Sequence, residues 1–129
     1  MSILSWNCRE LGNYWIVRAL KRVLQDEAPK VVFLMETKLP QEKMNFLKHE
    51  LGYTHGLAVS SIGQSGGLAL LWKPESKVEV RRLSRWYIDA YIDYDNMGEV
   101  WRLTDFYGQL DISKREQTWS ILESFGIHN

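Results

Sequence analysis

Hydrophobic and polar residues follow two different patterns along this chain, and the first third alternates between strand and helix. Ser2 to Asn7 is short and apolar-rich, which predicts a strand. Asn13 then opens a stretch with apolar residues on one helical face, and Pro29 ends it. Val31 to Met35 is a continuous apolar run, which is typical of a strand buried on both faces.

A second helix and a series of strands follow. Pro40 suits the first turn of a helix, and Gly52 supplies its end. Beyond it the pattern predicts five strands separated by turn residues: Tyr53 to Val59, Gly67 to Trp72, Lys77 to Leu83, Tyr87 to Tyr94 and Val100 to Tyr107. In Tyr87 to Tyr94, apolar and polar residues alternate, so one face of that strand meets a core.

The end of the chain predicts a third helix. Ser113 and Glu116 form a capping-box pattern, and the helix ends near Gly126. The resulting order is β-α-β-α-β-β-β-β-β-α, an α/β (α+β) arrangement. We therefore expect one domain over residues 1–129, with one mostly antiparallel sheet of about six to seven strands covered by three helices.

Composition narrows the class of protein. The 129 residues include 16 basic and 16 acidic side chains, so any contact with nucleic acid has to be local. The single Cys8 excludes an internal disulfide and is expected to be a buried thiol. The sequence has no apolar segment long enough for a membrane span and no signal-like start, which favours an intracellular location, nucleus or cytoplasm.

Three short motifs at predicted strand ends carry a family resemblance. They are Ser5 to Arg9, Met35 to Lys38 and Phe106 to Gly108, with Ser65 to Leu70 between the second and third. In this order they resemble the endonuclease/exonuclease/phosphatase (DNase I-like) family, and most of all the endonuclease domain of plant non-LTR (LINE-type) retroelements. The resemblance implies half of a DNase I-like β-sandwich and hydrolysis of phosphodiesters in DNA.

The resemblance also implies roles for individual residues. Glu36 matches the family's metal-binding glutamate, and its carboxylate is a ligand type suited to Mg²⁺, the expected cofactor. Asn7 and Tyr107 match the catalytic residues that orient metal or phosphate. Arg9 and Arg115 stand where basic side chains reach the nucleic-acid backbone.

Each of these assignments has a structural alternative that the sequence leaves open. Glu36 is also compatible with a solvated charge after a strand, and Asn7 with a turn former. Tyr107 could pack its ring with a satisfied hydroxyl, and Arg115 could be an exposed residue at a helix start.

Two further segments that the family's chemistry requires do not occur in this sequence. A Gly-Asp-Phe-Asn-like segment and a Ser-Asp-His-like segment would supply an aspartate, an asparagine and a histidine, and the chain stops at Asn129. Glu10 and Asp105 also replace glycines of the motifs. We expect a catalytically incomplete portion that acts as a binding or interaction module; an active nicking endonuclease would require the missing half from a longer chain or a partner.

A chain that forms half of a β-sandwich is also expected to bind a partner. The inner face of its sheet would lack the second half that normally covers it, and six Trp and six Tyr provide further apolar surface for an interface. The expected partner is a second copy in a homodimer or the missing C-terminal half. Weak DNA binding is a further expectation, for which Arg81, Arg82, Arg85 and Trp86 form a candidate cluster. The same cluster also fits a solvated strand edge.

Overall fold

The computed structural model describes residues 3–63, 65–93, 98–106 and 109–114. The strands are β1 (Ile3–Asn7), β2 (Val31–Met35), β3 (His55–Val59), β4 (Leu68–Trp72), β5 (Lys77–Leu83), β6 (Tyr87–Asp93), β7 (Trp101–Phe106) and β8 (Gln109–Lys114), and the helices are α1 (Tyr14–Glu27) and α2 (Gln41–Glu50). The chain divides into two compact units, Met1–Pro74 and Glu75–Asn129. Each unit contains one of two four-stranded sheets.

The sheet of the first unit has the strand order β1-β2-β4-β3. β1 runs parallel to β2, while β4 is antiparallel to both β2 and β3. A parallel pair needs a crossover connection, and α1 provides it. Val32 and Leu34 of β2 and Ala69 and Leu71 of β4 share one hydrophobic core with Leu20 of α1. Burial of this apolar face stabilises the unit and fixes the register of its strands.

Local sequence explains where the two helices begin and end. The side chain of Asn13 accepts a hydrogen bond from the backbone N–H of Trp15 at 2.8 Å and so caps α1. α1 ends at Ala28, whose N–H donates to the carbonyl of Leu24 and whose φ is +45°. α2 follows Pro40, which makes no side-chain capping bond. Within the described ranges, neither helix combines the length and apolar character needed to cross a bilayer.

The second unit is an antiparallel sheet in the order β5-β6-β7-β8. The alternation predicted for Tyr87 to Tyr94 is confirmed over β6, where Ile88, Ala90 and Ile92 are fully buried. The opposite face of β6 is polar but not exposed. Asp89 is buried there and accepts two hydrogen bonds from the guanidinium of Arg102, at 2.9 and 2.8 Å.

The α+β class is confirmed, and the strand arrangement differs from the prediction in two respects. The strands form two sheets of four rather than one sheet of six to seven. Residues 109–114 form β8, where a capping box had predicted a helix start at Ser113. Leu110 and Ile112 alternate with polar residues, and pairing with β7 satisfies their backbone in place of a helix. The rest of the predicted third helix lies outside the described residues.

The sheet of the first unit is buried on both faces along its central strands. Val31 and Phe33 of β2 and Leu70 of β4 lie on the face opposite the helices, and they are also fully buried. Solvent therefore does not reach this face of the sheet at these positions, and a partner on it stays a prediction. Among the described strands, β1 pairs with β2 alone and so lies at an edge of this sheet.

Candidate functional site

Asn7 and Glu36 come to the same edge of the first sheet because β1 and β2 are parallel. Asn7 is the last residue of β1, and it is in register with Met35, the last residue of β2. Glu36 follows directly. The carboxyl ends of neighbouring parallel strands are a common place for functional groups, since side chains there leave a rigid buried sheet and reach solvent. Both residues are exposed.

The backbone at this edge adopts an uncommon conformation at three residues. Arg9, Glu36 and Lys38 have φ values of 58°, 52° and 54°. None of them is a glycine, and L residues in this left-handed region each cost about 1 to 3 kcal/mol. Such strain persists only where surrounding contacts impose it, and it clusters at functional sites in proteins.

Hydrogen bonds from neighbouring segments hold this strained backbone in place. The N–H of Cys8 donates to the carbonyl of Met35 at 2.9 Å, and that of Leu11 donates to the carbonyl of Thr37 at 3.0 Å. On the other side, the N–H groups of Thr37 and Lys38 donate to the carbonyls of Gly67 and Gly66 at 3.2 and 2.9 Å. Hydrogen bonds therefore hold the segment around Glu36 to the residues after β1 on one side and to the residues before β4 on the other.

Gly67 is required for this arrangement, and so is the buried Thr37 beside it. Gly67 has a φ of +92°, and a Cβ added there would clash with the Oγ1 of Thr37 and lie 3.0 Å from the backbone nitrogen of Lys38. Thr37 is fully buried. The sequence motifs contained both residues, but their contact depends on the pairing of β2 with β4 and has no local sequence signal.

The side chain of Asn7 forms a hydrogen bond within the turn that follows β1. The Oδ1 of Asn7 accepts a hydrogen bond from the backbone N–H of Arg9 at 3.0 Å, which forms an Asx-turn. Asn7 thus shapes the turn that its structural alternative predicted. Arg9 is exposed next to it.

The thiol of Cys8 lies beneath this edge. Cys8 is buried, as predicted, with 1% of its surface exposed. Burial raises the pKa of Cys8 to about 12, and the negative charge of Glu36 contributes in the same direction. A thiol with so high a pKa is protonated at neutral pH and is not a nucleophile or a metal ligand.

Glu36 makes this edge a candidate position for a hard divalent cation. Mg²⁺ keeps several water ligands and commonly uses one or two protein carboxylates together with substrate phosphates. Glu36 supplies one carboxylate here. Across the described portion of the chain, no group of three or more His, Cys, Asp or Glu is arranged to hold a metal ion. The described residues therefore form no closed metal cage, and Glu36 is a single candidate ligand.

The remaining predicted site residues cannot be placed at this edge. Tyr107 and Arg115 lie outside the described residues. Glu10, one of the two acidic substitutions in the motifs, is exposed in the turn after β1, close in sequence to Arg9. The other, Asp105, is fully buried in β7 of the second unit.

No protein-family model matches this sequence, and neither does any curated protein sequence. The structure is similar to the crystal structure of the AP endonuclease LMAP from Leishmania major, with a TM-score of 0.56 and 16% sequence identity. The match covers 81% of this chain and 39% of that chain, so this chain spans well under half the length of that protein. The likeness supports the DNase I-like fold that the sequence motifs imply, and at this identity it shows the fold alone.

Proposed function

From this DNase I-like fold, we propose that the chain is the N-terminal portion of a Mg²⁺-dependent phosphodiesterase of the plant non-LTR retroelement type. On its own it acts as a binding module that retains half of a metal and phosphate site. Asn7 and Glu36 are the residues of that remnant, with Glu36 on the cation and Asn7 and Arg9 towards the phosphate. Tyr107 and Arg115 complete the proposed set.

One observation carries this proposal. The parallel pairing of β1 and β2 puts Asn7 in register with Met35, so that Asn7 and Glu36 leave the sheet at the same edge. The strained, hydrogen-bonded backbone at Glu36 adds support, because such conformations are retained where a side chain has to be aimed. The motif set around these residues is the source of the retroelement assignment.

Incomplete catalysis follows from the residues that the sequence lacks. Hydrolysis of a phosphodiester needs an activated water, and a general base contributes about 10²- to 10⁴-fold to such a reaction. The Asp-x-Asn and Asp-His segments that supply it in the resembled family do not occur among the 129 residues. The similar AP endonuclease extends over a chain more than twice as long as the part matched. The proposed complete enzyme therefore requires a further segment.

A metal titration tests the proposed role of Glu36. Free Mn²⁺, followed by its electron paramagnetic resonance signal, stands in for Mg²⁺ because both prefer oxygen ligands. We expect weak binding of one Mn²⁺, displaced by excess Mg²⁺. Glu36→Gln removes the only carboxylate proposed for the site and is expected to weaken binding at least about tenfold.

Glu42→Gln is the matched control for this titration. Glu42 is also an exposed glutamate of the first unit, and it lies in the first turn of α2. It is expected to bind Mn²⁺ as the unmodified chain does. Equal binding by the Glu36→Gln variant would contradict the assignment of Glu36 as the metal ligand.

A plasmid assay distinguishes the incomplete module from an active enzyme. Supercoiled plasmid incubated with the chain and Mg²⁺ is expected to stay supercoiled. Nicking that depends on the metal and that Glu36→Ala abolishes would overturn the proposal of incompleteness, and would establish a DNA-nicking endonuclease instead.

A further inference from the structure

A second surface of the first unit has none of the candidate metal-edge residues in its described lining. It is a groove of about 640 Å³ between α1 and the edge strand β1. Ala19, Trp15 one turn earlier and Val23 one turn later line it from the helix, and Trp6 of β1 lines it from the sheet. The small side chain of Ala19 between two larger ones leaves room on this helix face.

The aromatic rings of this groove differ in their exposure. Trp6 is half-buried and packs against the hydrophobic core. Trp15 is 69% exposed. Packing of the core explains Trp6 but not Trp15, which leaves most of a large apolar ring in water on the helix surface. An exposed tryptophan beside basic residues is a typical stacking platform for an unpaired base.

Among the described residues, the charged side chains that line the groove are all basic. They are Arg18, Lys21 and Arg22. The guanidinium carbon of Arg18 lies 5.9 Å from the centre of the Trp15 ring, and Lys21 forms a 3.8 Å ion pair with Glu50. In a chain of zero net charge, this is a local concentration of positive charge beside an exposed aromatic ring.

We propose that this groove binds single-stranded DNA, with an unpaired base stacked on Trp15 and the adjacent phosphates held by Arg18 and Arg22. Basic side chains favour a polyanion, and the exposed ring favours one whose bases are not stacked in a duplex. An acidic protein segment would satisfy the charges but would leave the ring of Trp15 without a flat partner. The choice of DNA over RNA rests on the proposed function.

Fluorescence anisotropy of a labelled oligothymidylate tests this proposal. The titration is carried out with EDTA, so that metal binding at Glu36 does not contribute and its failure leaves this result unchanged. Trp15→Ala is expected to weaken binding at least about tenfold through loss of stacking. Arg22→Gln is expected to reduce the slope of log affinity against log salt by about 0.7, which corresponds to one phosphate contact.

Phe46→Ala and Lys43→Gln are matched controls on α2 of the same unit. Phe46 is 69% exposed, as Trp15 is, and Lys43 is an exposed cation that lines a different groove together with Phe46. Both variants are expected to bind the oligonucleotide as the unmodified chain does. Circular dichroism confirms that each variant keeps the fold.

Four results would overturn the proposal. These are unchanged affinity for Trp15→Ala, equal affinity for the same sequence in a duplex, tighter binding of oligouridylate, and displacement of the oligonucleotide by polyglutamate at equal charge concentration. The last of these would assign the groove to an acidic protein partner instead.

Discussion

At the scale of single residues, Gly67 controls how Glu36 is presented. Its carbonyl accepts the N–H of Thr37, and its missing side chain makes room for the buried Thr37 hydroxyl. Gly66 beside it has a φ of +78° but nothing within 4 Å of an added Cβ. Substitutions at the two glycines therefore distinguish the free-energy cost of a left-handed backbone from that of a steric clash.

We expect Gly67→Ala to lower the free energy of unfolding by about 2 to 4 kcal/mol, because the new methyl group meets both backbone strain and a packed neighbour. Gly66→Ala meets the backbone strain alone and is expected to cost about 1 to 2 kcal/mol. Urea denaturation of the two variants measures the difference. Equal losses would show that contact with Thr37 does not restrict position 67.

The candidate site shows which of its features can be predicted from sequence. Polar residues directly after apolar runs predicted that Asn7 and Glu36 stand at strand ends, and parallel pairing places both ends at one edge. The left-handed backbone at Arg9, Glu36 and Lys38 was not predicted, because none of them is a glycine. Contacts with segments distant in sequence impose it, and local propensity does not encode such contacts.

At the scale of elements, Asp89 links β6 to β7 through Arg102 and Thr104. Thr104 donates to the same carboxylate at 3.1 Å. Burial alone would raise the pKa of Asp89, but hydrogen bonds and charge from Arg102, with a hydrogen bond from Thr104, outweigh it and lower the pKa below 3.8. The ionised carboxylate is therefore favoured in the folded chain.

This shift gives a pH-dependent contribution to stability. Because the folded-state pKa is the lower one, the contribution is fully present above the unfolded-state pKa and is lost as pH falls through the folded-state value. We expect Arg102→Ala to cost about 1 to 2 kcal/mol at about pH 7, a modest value because more than a third of the Arg102 side chain is exposed. The loss is expected to shrink in acid, where Asp89 is protonated.

Urea denaturation at neutral and acidic pH measures this effect, with Arg85→Ala as the control. Arg85 is exposed and belongs to the same unit. Among the described residues, it donates no hydrogen bond to a carboxylate. Its removal is expected to change stability by less than about 0.5 kcal/mol at either pH. A loss for Arg102→Ala that stays constant with pH would show that packing, and not the ion pair, is responsible.

Most strands could be predicted from sequence, whereas their pairing could not. The alternation in Tyr87–Asp93 and the apolar run of Val31–Met35 identified β6 and β2 because each pattern is local. Nothing local indicates that β4 inserts between β2 and β3, or that the chain starts a second sheet after Pro74. β8 was missed because the capping-box residue Ser113 outweighed the alternation of Leu110 and Ile112.

At the scale of the whole molecule, the edge of β1 is a further candidate position for the partner that the sequence predicts. The central strands of the first sheet are buried on both faces, but β1 pairs only with β2 among the described strands. β1 contains no charged residue or proline that would discourage pairing, whereas the edge strand β5 carries Lys77, Arg81 and Arg82. We therefore expect a second copy, or the proposed missing segment, to add a strand at the open edge of β1.

Without that segment, we expect two copies of the chain to pair antiparallel through β1 about a two-fold axis, since such an interface needs only one self-complementary edge. Sedimentation equilibrium at micromolar concentration is expected to show a dimer. Ser5→Lys puts a charge at an exposed position of β1 and brings two like charges near the axis, which is expected to raise the dimer dissociation constant at least about tenfold.

Gln109→Lys adds the same charge at an exposed position of the edge strand β8 and is expected to leave the dimer intact. A monomeric unmodified chain, or equal dissociation in both variants, would show that β1 does not pair two copies.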